Sequence, residues 1–104
     1  MKRLADWGEI VTLSQQLSAI ARKENWEEVT NLATKRHQMI TSFFLEPVTE
    51  DIAPEIASGI ELIQDIDKEI VQLAHKSKQK ISEHLSEIAK GKHMSKVYSN
   101  NTQV

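Results

Sequence analysis

The feature that most constrains this chain is one long apolar stripe in its second half. The spacings between its members are three, four, seven or eight residues, which place them all on one face of an α-helix. A single helix over about residues 54–90 satisfies this pattern, and Gly91 either ends or weakens it. The members of the stripe are Ile56, Ile63, Ile66, Ile70, Leu73, Ile81, Leu85 and Ile88.

Two shorter helices are predicted before this one. The first covers residues 4–22 and carries two apolar stripes, which is typical of a helix with more than one neighbour. The second covers residues 26–44, with Asn25 as its N-cap and Glu28 three residues later. The turn between them is so short that the two helices must lie antiparallel. Pro47 then marks a break, after which Thr49 or Asp51 can cap the long helix.

Length and composition favour a single helical domain. The chain has 104 residues, of which only 5 % are aromatic, and it has no cysteine, so disulfides and thiolate metal sites are excluded. We predict an all-α fold, an antiparallel helical bundle of three main helices with a long third helix and a short C-terminal segment. Residues 1–98 are the expected helical domain, and residues 99–104 the expected disordered tail. No signal peptide or membrane span is expected, which predicts a cytoplasmic protein.

The helix lengths predict an uncovered surface. A helix of ~19 residues is ~28 Å long, whereas one of ~37 residues reaches ~55 Å, so the short helices cover about half of the third. The stripe thins after Leu73, where only Ser77 lies on it, and then resumes. We therefore predict a partner-binding site on the third helix, formed by Leu73, Ile81, Leu85 and Ile88 with Lys78 at its rim. The structural alternative is that the same residues form a homodimer seam.

Charge along the third helix is uneven. Residues 46–69 contain eight acids and the single base Lys68, whereas residues 76–96 contain six lysines and only Glu83 and Glu87. One explanation is complementarity to the helix dipole. The other is that the two ends carry an acidic and a basic docking surface.

Two residues of the second helix are predicted to be structural. Trp26 begins the helix and is expected to pack over the short turn against the end of the first helix. Arg36 lies inside an apolar stripe, where a guanidinium needs a carboxylate partner, and Asp67 is the expected partner.

The spacings do not predict catalysis or metal binding. His75, His84 and His93 are each nine residues apart, so successive imidazoles face opposite sides of a helix and do not chelate a metal. Asp65, Asp67 and Glu69 have no nucleophile or glycine-rich loop near them. We expect no enzyme, no cofactor, no membrane partner and, with a net charge of −2, no direct nucleic-acid binding.

Several short segments resemble the flagellar export chaperone FliT family. They are LSQQLSAIARKENWEEVTNLATKRHQMI at residues 13–40, IDKEI at 66–70 and KGKHMSKVY at 90–98. The segments occur in the same order as in the family, and the resemblance covers residues 10–98. Family members can carry a C-terminal helix that masks the binding surface. Because only six residues follow Tyr98, we expect any masking to come from residues 94–98.

The resemblance implies a small helical bundle that binds the flagellar filament-cap protein before export. It also implies, for some members, binding to the flagellar master transcription regulator and to components of the export ATPase. The alternative function is a purely structural, homo-oligomeric helical bundle or coiled-coil protein without a client.

Overall fold

Three helices follow one another along the chain, with no strand in the described range: α1 (Lys2–Arg22), α2 (Trp26–Phe43) and α3 (Ala53–Lys96). The computed structural model describes the backbone of residues 2–96 and the side chains of residues 2–89. The predicted all-α fold is confirmed, and the predicted helix ends agree within two residues except at the end of α3. There the helix continues through Gly91 to Lys96, because a glycine inside a helix costs ~1 kcal/mol relative to alanine but does not by itself end it.

The turn between α1 and α2 is closed by backbone hydrogen bonds. Glu24 N–H donates to the Ala21 carbonyl at 2.9 Å, and Asn25 N–H donates to the Ile20 carbonyl at 3.4 Å. This pair of bonds is the Schellman motif, whose turning residue is usually glycine, and here Glu24 adopts it with φ 60°. Asn25 then caps α2, since its side chain accepts a hydrogen bond from Glu28 N–H at 3.3 Å.

The start of α3 differs from the sequence prediction. The residue before the helix is Ile52, so neither Thr49 nor Asp51 is the cap. Thr49 contributes its carbonyl instead, which accepts from the amides of Ile52 at 3.2 Å and Ala53 at 3.1 Å, and its hydroxyl donates to Asp51. The two hydrogen bonds to the Thr49 carbonyl are made by backbone groups, which carry no residue-specific signal in the sequence.

The chain divides into two compact units, Met1–Leu73 and Ala74–Val104. The prediction of one domain over residues 1–98 stays a prediction, and the tail at 99–104 lies outside the described residues. Within the first unit, α1 and the early part of α3 run in the same direction, with α2 antiparallel to both. The side-chain contacts define this order, since Ser14 and Ser18 of α1 connect to Asp67 (through Arg36) and to Glu69 of α3.

Two apolar clusters form the core of the first unit. The first contains Trp7, Ile10, Phe43, Ile52, Ile56 and Ile63, and the second contains Leu17, Ala21 and Val29. Along α1, the buried Ser14 lies between them and meets Arg36 of α2. The core is therefore two apolar layers with a polar layer between them.

The second unit, as far as it is described, is the C-terminal part of α3. It is helical to Lys96, and every large apolar side chain described in it is exposed.

Candidate functional site

Three apolar side chains of the second unit form an exposed face on α3. Ile81, Leu85 and Ile88 are 60 %, 59 % and 39 % exposed. Their spacings of four and three residues align them on one side of the helix over about two turns. We call these three residues the α3 face.

Exposure of this kind has a physical cost in water. Burying an isoleucine or leucine side chain contributes roughly 1.5–3 kcal/mol, and soluble proteins rarely leave several such residues exposed in a row. The same residue types earlier in α3, such as Ile56, Ile63 and Ile66, are at least 92 % buried in the first unit. Within the stripe, the α3 face therefore has the most apolar surface left exposed to water, and this surface can be buried by a partner.

The polar residues around the α3 face are unevenly distributed. Lys78 precedes Ile81 by three residues and Leu85 by seven, so it lies at the edge of the same side of the helix. Glu83 and Glu87 each lie two residues from Leu85, a spacing that places them on the other side. The edges of the face thus carry a lysine and no carboxylate.

Leu73, the fifth predicted binding residue, belongs to the first unit. It is half-buried and packs against the cluster of Leu17, Ala21 and Val29. Part of its surface is therefore already used by the bundle. Lys78 is exposed, as a rim residue must be.

The structure brings Arg36 and Asp67 together. Arg36 Nη1 donates to Asp67 Oδ1 at 2.9 Å, and Nη2 donates to Oδ2 at 3.2 Å, a bidentate pair. Nη1 also donates to Ser14 Oγ at 3.1 Å, and that hydroxyl donates to the Ile10 carbonyl at 3.0 Å. The Arg36 side chain is only 14 % exposed, so its charge is neutralised inside the bundle and is not presented to a ligand.

A second ion pair, which the sequence did not reveal, joins α1 to α3. Arg22 donates from Nε at 3.0 Å and from Nη2 at 2.7 Å to Glu69 Oε2, and Ser18 donates to Oε1 at 2.9 Å. The hydrogen bond from Arg22, followed by that from Ser18, lowers the pKa of Glu69 below its usual value. Asp67 and Glu69 therefore both accept hydrogen bonds that join α3 to the other two helices.

Arg3 is a further structural residue that the sequence does not indicate. Its guanidinium donates to the carbonyls of Phe43 at 2.8 Å, Glu46 at 3.2 Å and Pro47 at 3.0 Å. It also lies 4.2 Å above the Phe43 ring. A cation at the C-terminal end of α2 is favoured by the helix dipole, but its partners lie forty or more residues away, so no local pattern indicates the contact.

Both tryptophans belong to the packing of the bundle. Trp7 is buried against the backbone of Gly59, where an added Cβ would lie 2.3 Å from the indole Nε1. Trp26 is half-buried against the second cluster, next to the turn between α1 and α2, which is the place predicted for it. Neither tryptophan is therefore an exposed stacking surface.

The first unit has two further surface features, a cavity and an exposed leucine. A cavity of about 350 Å³ lies between α1 and α2, lined on its floor by Ile10, Met39 and Phe43. Leu45, at 79 % exposure, lies in the turn after α2 and is not part of a helical apolar stripe. Within the described residues no three histidine or acidic side chains converge on a metal position, and no helix is long and apolar enough to cross a membrane.

The described residues thus define a small all-α protein. It has a three-helix unit and an exposed apolar face on its third helix. Residues 4–100 match the family of flagellar protein FliT. The match covers nearly the whole sequence, and the chain belongs to the FliT family. Membership implies the role of a flagellar export chaperone, in a family of chaperones rather than of enzymes. No curated protein and no solved structure matches the chain.

Proposed function

We propose that this chain is a cytosolic export chaperone that binds the flagellar filament-cap protein through the α3 face. Family membership supports the chaperone role, and the resemblance noted in the sequence supports the choice of client. The observation that carries the proposal is the exposure of Ile81, Leu85 and Ile88, three large apolar residues aligned on one side of a helix.

The mechanism is reversible burial of apolar surface. Before export, a segment of the client covers the α3 face. While it is bound there, the apolar residues of the client cannot associate with other proteins. Each covered side chain contributes up to roughly 1.5–3 kcal/mol before the costs of association, so the three residues supply part of the ~8 kcal/mol that micromolar binding needs, and further contacts with the client supply the rest. The flagellar transcription regulator and the export ATPase are further partners that could use the same surface.

The direct test is a pull-down with purified filament-cap protein and two matched variants. Leu85→Asp places a charge in the middle of the α3 face and should weaken capture at least ~10-fold. Ser86→Asp adds the same charge one residue further on, about 100° around the helix, and should bind like the wild type. Equal capture by all three proteins would move the client site away from the α3 face.

Sedimentation at several concentrations separates the chaperone from a self-assembling bundle. The proposal predicts that any dimer dissociates when the client is added, since client and second copy compete for the α3 face. A tight dimer that persists in saturating client would instead favour the structural, homo-oligomeric alternative.

A further inference from the structure

The residues around the α3 face also indicate what kind of segment fits it. We infer that its occupant is an amphipathic helix whose apolar stripe is flanked by carboxylates. This inference rests on the proposed function and adds to it the chemistry of the client segment.

The backbone of α3 favours a helical occupant over an extended one. Residues 81–88 lie within a continuous helix, so their amide and carbonyl groups are used in the helix itself. An extended segment docked there would find no main-chain partner and would leave its own amide groups without hydrogen bonds at the buried contact. A helix brings its backbone already paired and packs its side chains between those of Ile81, Leu85 and Ile88.

The edges of the α3 face favour acidic flanks on that helix. Lys78 lies at one edge, and His84, three residues after Ile81 and four before Ile88, lies at the other. The carboxylates of Glu83 and Glu87 are on the far side of α3. A client helix with glutamates beside its apolar stripe would therefore meet opposite charge at Lys78, whereas one with lysines there would meet like charge.

The helix dipole does not account for the position of Lys78. Dipole effects fall off within the last turn of a helix, whereas Lys78 is eighteen residues, or about five turns, before the end of α3 at Lys96. In the sequence, residues 74–104 contain six lysines and two glutamates, so the whole second unit is basic. The helix dipole therefore does not explain why Lys78 lies beside the apolar residues, and its position there is compatible with an acidic partner.

Two synthetic peptides test the inference directly. Both form three-turn amphipathic helices with the same leucine stripe, but one has glutamates and the other lysines at the flanking positions. Binding of each labelled peptide to the wild-type protein is measured by fluorescence anisotropy. We expect the glutamate peptide to bind about fivefold more tightly at low salt, and the difference to disappear near 1 M salt, where the screening length is ~3 Å.

Two charge-reversal variants locate the effect. Lys78→Glu should abolish or reverse the preference for the glutamate peptide. Lys76→Glu makes the same change in net charge but lies about 140° around the helix from Ile81, and it should keep the preference. Equal binding of the two peptides to the wild type, or equal effects of the two reversals, would overturn the inference, and so would failure of both peptides to bind.

Leu85→Asp distinguishes this inference from the proposed function. If that variant loses both peptides while the wild type shows no charge preference, the α3 face binds helices but does not select acidic ones. If both peptides bind Leu85→Asp as well as they bind the wild type, the apolar face is not the site, and the proposed function fails together with the inference.

Discussion

Trp7 and Gly59 illustrate how a single backbone position shapes this bundle. The indole ring lies where the side chain of any other residue at position 59 would have to be. Without a Cβ on Gly59, α1 and α3 approach closely enough to bury the tryptophan to 4 % exposure. Glycine is therefore needed at position 59 because it leaves room for the indole ring of Trp7. This need arises from the packing of two helices and not from the local sequence.

Gly59→Ala should lower the free energy of unfolding by ~2–3 kcal/mol, because the new Cβ would lie 2.3 Å from Trp7 Nε1 and the helices would have to move apart. The matched control is Gly8→Ala in α1, where an added Cβ meets nothing within 4 Å and should stabilise the protein by up to ~1 kcal/mol. Urea unfolding of both variants gives the comparison. If the two substitutions change the free energy of unfolding equally, Trp7 does not lie as close to Gly59 as described.

Arg36→Met should keep the helix content while lowering the free energy of unfolding by ~1–2 kcal/mol. The methionine fills part of the space but leaves Asp67 without its cation, and the 43 % exposure of that carboxylate lets water replace some of the lost hydrogen bonds. We also expect broader side-chain NMR signals, since the polar layer between the two apolar clusters fixes how the helices align.

Lys35→Met, at the neighbouring exposed position of α2, serves as the control and should change the free energy of unfolding by less than ~0.5 kcal/mol. A value for Arg36→Met as small as that of the control would show that the Arg36–Asp67 pair contributes nothing to stability.

At the scale of the helix, α1 and α3 are joined by Glu69, which accepts hydrogen bonds from both Arg22 and Ser18. Its pKa is lowered in the folded state, so the unfolded chain binds this proton more readily than the folded one. The stabilisation from Glu69 is therefore fully present above the pKa of the unfolded chain, and it is lost as the pH falls through the lower pKa of the folded state.

Glu69→Gln should accordingly make the free energy of unfolding less dependent on pH below about pH 5 than it is in the wild type. Urea unfolding between neutral pH and pH 3 measures this slope. Glu61→Gln removes the same charge from an exposed position of α3 and should leave the slope near that of the wild type. An unchanged slope in Glu69→Gln would contradict a bond between α1 and α3 at this position.

The helices themselves could be predicted from the sequence because their signals are local. Apolar spacing, the Asn25 cap and the break at Pro47 all act within a few residues. Asp67 could be chosen as the partner of Arg36 because both flank apolar stripes that must face each other. The contacts of Arg3, Gly59 and Glu69 could not be found in this way, since each depends on residues brought together only when the helices pack.

At the scale of the whole molecule, the two units differ in charge and in how far their described apolar residues are buried. Residues 1–73 contain thirteen acids and seven bases, whereas residues 74–104 contain two acids and six bases. The first unit has its own apolar core, and in the described part of the second unit the three largest apolar side chains are exposed. Under the proposed function, stability resides in the first unit and client binding in the second, so that the chaperone holds and releases a client without unfolding.

Because of this division, substitutions in the two units should affect different properties, stability in one case and client affinity in the other. Substitutions at Gly59, Arg36 and Glu69 should change stability and leave the affinity of the folded protein for its client nearly unchanged. Substitutions on the α3 face should do the reverse. The difference allows a loss of binding to be attributed to the face itself.

The most direct measurement is NMR of the isoleucine and leucine methyl groups while unlabelled filament-cap protein is added. We predict that the signals of Ile81, Leu85 and Ile88 shift or broaden, whereas those of Ile10 and Leu17, which are 1 % exposed, stay in place. If the three signals of the α3 face remain unchanged at saturating cap protein, this surface does not bind the client.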